Sequence, residues 1–134
     1  ISYYFLNTGV PTRMICNGSD CITDQVAVIP TGSGLRHVNA IAEVLARIDL
    51  TRTVVSCTDQ LHELTNKMAN STSAPLYIMI SNSTSNSLQD AFEQLIKTGS
   101  SAMWIAPLYE DMELRVRKIP NMDIIRWEVN KYEN

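Results

Sequence analysis

Leu76-Tyr-Ile-Met-Ile-Ser-Asn-Ser-Thr-Ser-Asn-Ser-Leu-Gln-Asp-Ala-Phe-Glu-Gln-Leu-Ile-Lys-Thr-Gly99 decides the fold class. Its first five residues are an apolar run of strand length, and the next six are small polar loop material. From Ser87 the period changes. Leu88, Ala91, Phe92, Leu95 and Ile96 recur at the spacing of one helical face, with Ser87 and Asp90 as an acidic variant of the capping box. Gly99 stands where a helix-ending glycine belongs. A strand that passes through a short loop into an amphipathic helix is the repeating unit of an α/β protein.

Upstream, the unit occurs twice more. Val26-Ala-Val-Ile29 ends at Pro30 and reads as a strand, Thr31-Gly-Ser-Gly34 as a turn with Ser33 as N-cap. Leu35, Val38, Ile41, Ala42, Leu45 and Ile48 then mark a helical face. Thr53-Val-Val-Ser-Cys57 is a β-branched run, followed by Leu61, Leu64 and Met68 on a helical stripe. Downstream, Ala102–Ala106 predicts an interior strand, alternation at Met112, Leu114 and Val116 predicts a half-wet strand, and 123–129 predicts another. The expected architecture is α/β: three strand–helix units, a mixed sheet and a strand-rich C-terminal part. Residues 1–25 read as a lead-in with a cysteine pair and 26–134 as a single α/β domain.

A chain of 134 residues can bury a core unaided. Its net charge of −3 argues against a nucleic-acid footprint, which needs concentrated Lys and Arg. Charged residues make up only 19%, fewer than Ser, Thr and Asn together, so the surface is polar but sparsely charged, a composition commoner outside the cytoplasm. Asn17-Gly-Ser19, Asn70-Ser-Thr72 and Asn82-Ser-Thr84 match the glycosylation acceptor pattern, which arises by chance in such a composition. Cys16 and Cys21 lie close together in loop-like sequence and are expected to form a disulfide in an oxidising compartment; Cys57 reads as a buried small hydrophobe. The aromatic opening, Ile1-Ser-Tyr-Tyr-Phe-Leu-Asn7, has the character of the outer edge of a membrane span.

Candidate chemistry concentrates in the strand-to-helix loops. Thr31, Gly32, Ser33 and Gly34 precede a helix N-terminus and could cradle an anion, though the P-loop ending and the dinucleotide spacing are absent; a tight turn is the plainer reading. Ser81, Asn82, Ser83 and Ser85 could bond a small polar ligand or form an ordinary surface loop. Cys57, His37, His62 and Asp59 supply the residue types of a nucleophilic site, without a nucleophile elbow. No metal or cofactor motif is present, and His62-Glu63 lacks its second histidine. His37 and His62 fall early in helices, where the dipole disfavours imidazolium, so they are candidate pH sensors. Met112, Leu114, Val116 and Trp127 are the candidate partner-binding residues, through strand addition or an apolar patch.

The aromatic opening, the Cys16 and Cys21 pair and a small α/β body without a catalytic signature resemble one class. These are the single-span accessory proteins of ToxR-like membrane transcription regulators, the PsaF/MyfF type of fimbrial operons. The resemblance implies a periplasmic domain tethered to the inner membrane through an N-terminal span, which binds and protects the regulator's periplasmic domain and responds to acid. It carries over no residue roles. A second copy of the chain is a further candidate partner. Two other readings are an extracytoplasmic sensor of a small polar or anionic ligand, and a small hydrolase or transferase using Cys57 or a loop Ser.

Overall fold

Two three-stranded sheets, and not one mixed sheet, organise the chain in the computed structural model, which describes residues 2–53, 55–99 and 101–130. The chain divides into two compact units, 1–57 and 58–134. The α/β class holds, with three strand–helix successions, the second of them built on Ile48–Thr53 and not on the expected 53–57.

The first unit begins with a short helix, α1 (Ser2–Asn7), followed by strand β1 (Thr12–Asp20), so the expected lead-in carries regular structure. Leu6 of α1 is 1% exposed and forms the core of this unit with Ile29 and Ile41. Strand β2 (Val26–Gly32), helix α2 (Leu35–Ala46) and strand β3 (Ile48–Thr53) follow. Both β2 and β3 pair antiparallel with β1, which lies between them. Pro30 falls within β2 and does not end it, because β2 is an edge strand and its missing N–H need not serve a ladder.

Helix α2 turns a different face inward from the one its spacing suggests. Ile41 is buried with Val38 and Val44 packed around it, whereas Leu35 and Leu45 are exposed. Its N-cap is Gly34 at φ 81°, not Ser33, and no side chain caps it. Ile48, expected as the last helical position, instead opens β3. Strand 53–57 is not formed either: β3 ends at Thr53 and Cys57 starts helix α3 (Cys57–Met68), while Val54 and Ile1 lie outside the described residues.

Asp20 fixes the β1–β2 turn to the end of α2. Its carboxylate accepts from Ile22 N at 2.8 Å, Thr23 N at 3.4 Å and Arg47 Nε at 3.0 Å. The bond from the Ile22 N–H, followed by those from Arg47 and Thr23, holds the Asp20 carboxyl below its ordinary value of 3.8 against the opposing effect of burial. A carboxyl depressed in the folded state stabilises fully above its unfolded value, about 3.9, and loses that contribution as pH falls through the folded one. Stability of the 1–57 unit should therefore drop below about pH 4 in the wild type. Asp20→Asn should start lower at neutral pH and show a flatter acid limb when chemical denaturation is repeated across pH. Equal acid limbs would remove Asp20 from the account.

The second unit contains strand β4 (Leu76–Ile80), helix α4 (Asn86–Ile96), strand β5 (Ser101–Leu108) and strand β6 (Met122–Glu128). Its order is β4-β5-β6, parallel throughout. Helix α4 starts two residues before the capping box suggests: Ser85 is the N-cap and its hydroxyl accepts from Leu88 N at 3.3 Å. Gly99 is not a left-handed cap. It is needed because a Cβ there would meet Pro75 O and the Tyr77 ring at 2.6 Å.

Residues 112–118 form no strand, despite their alternation. The buried Gln89 side chain of α4 clamps them. Its Nε2 donates to Thr84 O at 2.7 Å and Arg115 O at 3.2 Å, and its Oε1 accepts from Arg117 N at 3.0 Å. Arg117 also pairs with Asp90 and Glu93 of α4. An extended segment bonded to one side-chain amide alternates like a strand without joining a ladder.

Candidate functional site

Parallel strands need crossovers, and crossovers usually cover both faces of a parallel sheet. In the second unit both run over the same face. Helix α4 joins β4 to β5, and Trp104 of β5 meets Phe92 of α4 edge-on, with ring centroids 5.6 Å apart. The β5–β6 connection is tied to α4 by Gln89 and Arg117. Arg126 of β6 donates to Met112 O at 2.7 Å, Tyr109 O at 2.8 Å and Glu110 O at 3.2 Å, which anchors the start of that connection.

Side chains alternate along a strand, so residues 103, 105 and 107 point away from the face that carries Trp104. In register, Ile105 stands between Ile80 and Ile125, and Pro107 stands beside Trp127. Ile105 is buried in the middle, but Ile80 is 56% exposed, Ile125 42% and Trp127 58%. This is a contiguous apolar row on the face without a crossover, and it continues to the outer edge of β6, where no further strand pairs among the described residues.

The expected four-residue partner patch is split by this arrangement. Trp127 belongs to the open row. Met112 is exposed but its backbone is held by Arg126, whose side chain leaves β6 on the other side by alternation. Leu114 and Val116 are half-buried in the clamped segment. Ile80 and Ile125 were not distinguishable in the sequence, because inward and outward strand positions are both apolar in a parallel sheet.

The ligand-loop candidates fall in separate units, Thr31–Gly34 in the first and Ser81–Ser85 in the second. In the first, Gly34 N donates to Leu6 O at 3.3 Å, and a Cβ on Gly32 would fall 2.5 Å from His37 Nδ1. That imidazole lies against the glycine, and its Nε2 is 3.0 Å from Thr12 O. Nε2–H is therefore the donor, and Nδ1 carries the lone pair. In the second loop, Ser81 Oγ accepts from Ser83 N, Ser81 O accepts from Trp104 Nε1 and Ser85 caps α4. Most of its polar groups build the loop itself, with Asn82 and Ser83 exposed. His62 is exposed on α3.

Cys16 and Cys21 are not joined by a disulfide. Cys16 is inside β1 and Cys21 just beyond its end, and five extended residues reach about 16 Å, well past the 7 Å limit between bridged Cα atoms. Cys57 is half-buried at the start of α3; burial first, and then the neighbouring Cys16 thiol, push its own thiol upward, opposite to an activated nucleophile. Among the described residues no cluster of His, Cys, Asp and Glu could hold a metal, and no helix is long and apolar enough to cross a membrane. No protein-family model, curated protein or solved structure matches the chain.

Proposed function

We propose that this chain is a non-catalytic protein-binding module whose docking surface is the open face and outer edge of the β4-β5-β6 sheet. The observation that carries the reading is the row Ile80, Ile125 and Trp127, exposed on a parallel sheet whose crossovers both lie on the opposite face. A partner strand added beside β6 would gain main-chain hydrogen bonds, and Trp127 is the aromatic anchor.

The resemblance to the accessory proteins of ToxR-like regulators supplies the partner and the setting: the periplasmic domain of a membrane-bound transcription regulator, outside the cytoplasm at the inner membrane. His37, held between Gly32 and Thr12, and His62, exposed on α3, are the proposed acid-responsive residues. The upward-pushed Cys57 thiol and the internally bonded loops weigh against the hydrolase and small-ligand readings.

Binding to the periplasmic domain of a ToxR-like membrane regulator tests the proposal. Trp127→Ala should weaken it by about 10- to 100-fold, as loss of an aromatic anchor does. Trp127 emission should also shift to the blue on complex formation, whereas the buried Trp104 should not respond. Unchanged affinity in both Trp127→Ala and Ile125→Ser would rule out this surface.

A further inference from the structure

We propose that Cys16 and Cys57 are the oxidisable pair of this chain, and that a small-molecule disulfide closes them into an intramolecular bond linking the central strand of the first sheet to the first turn of α3. The register of β1 and β3 brings them toward each other. Gly18 pairs with Thr53 in the antiparallel sense, so the chain leaving β3 travels back along β1 toward Cys16. The pairing ends with Thr53 opposite Gly18, two residues from Cys16, and Cys57 opens α3 four residues after Thr53. Gly18 N lies 3.4 Å from Cys16 Sγ, which holds the sulfur over a position that carries no side chain. Burial first, and then the neighbouring Cys16 thiol, push the Cys57 thiol upward, in keeping with the two lying near each other. Cys21 lies outside this arrangement, exposed in the turn after β1.

The exchange balances with oxidised glutathione as oxidant. One cysteine thiolate attacks a sulfur of the glutathione disulfide, and its S–S bond breaks to release one glutathione thiolate, which takes up a proton. The second cysteine, deprotonated, attacks the protein sulfur of the mixed disulfide and expels the other glutathione. Two thiol hydrogens and two electrons leave the protein, and one glutathione disulfide becomes two thiols.

The test uses the intact chain incubated with oxidised glutathione, followed by alkylation of remaining thiols, digestion without reduction and mass mapping. Cleavage before Asp20 separates Cys16 from Cys21, so the partners are assigned directly. The expected product is a peptide containing Cys16 joined to one containing Cys57, about 2 Da below their sum, with Cys21 alkylated or carrying glutathione. Cys21→Ser, a change at an exposed site, should give the same link. A bond from Cys21 to either other cysteine, or recovery of Cys16 and Cys57 as separately alkylated or glutathionylated residues, would overturn the assignment.

Discussion

Trp104→Ala should remove about 4 kcal/mol from the stability of the 58–134 unit, the middle of the range for truncating a buried aromatic. Trp104 is fully buried, stacks edge-on against Phe92 and donates its indole N–H to Ser81 O at 3.1 Å. Truncation therefore opens a cavity between β5 and α4, loses the aromatic pair and strands the carbonyl at the end of β4. The measurement is the urea midpoint with its slope, followed by amide exchange on β4 and β5 to confirm which unit has weakened. A loss below about 1.5 kcal/mol would show that the β4-β5-β6 sheet does not depend on this contact.

Gln89→Met should cost about 3 kcal/mol while nearly conserving volume. Its amide orientation is fixed by its partners, two carbonyls that need a donor and one N–H that needs an acceptor. Methionine supplies neither, so three backbone groups lose their partner at one stroke. The 113–117 segment should also gain fast amide exchange, led by Arg117, whose N–H bonds Gln89 directly. Retained protection at Arg117 would mean that the ion pairs with Asp90 and Glu93 hold the segment by themselves. Exposed pairs of that kind are worth a fraction of a kcal/mol, too little for the task.

These two residues also show what the sequence disclosed and what it hid. Helix α4 was legible from its apolar stripe, although its cap is Ser85 and not Ser87, and β4, β5 and β6 from short apolar runs bounded by turns. The 112–118 stretch imitated a strand, since alternation records only an extended backbone and says nothing of what bonds it. Strand β1 was invisible for the opposite reason. Its deepest residues are Gly18, Ser19 and Asp20, and register shifts against both neighbours break any apolar period. With β1 unseen, the antiparallel sheet of the first unit could not be separated from the parallel sheet of the second. The open row was hidden too: Ile80 and Ile125 look like core residues until both crossovers are known to share one side.

Among the described residues no strand pairing crosses the join at residue 57: the ladders of the first sheet lie within residues 12–53 and those of the second within residues 76–128. For a polypeptide made from its N-terminus onward, the first sheet needs nothing synthesised after its own last strand, so it can be assembled while the second is still being translated. The second sheet must wait for β6, and until then β5 exposes an unpaired edge. Vulnerability to misassembly during biogenesis is thus concentrated in the half of the molecule that carries the apolar row.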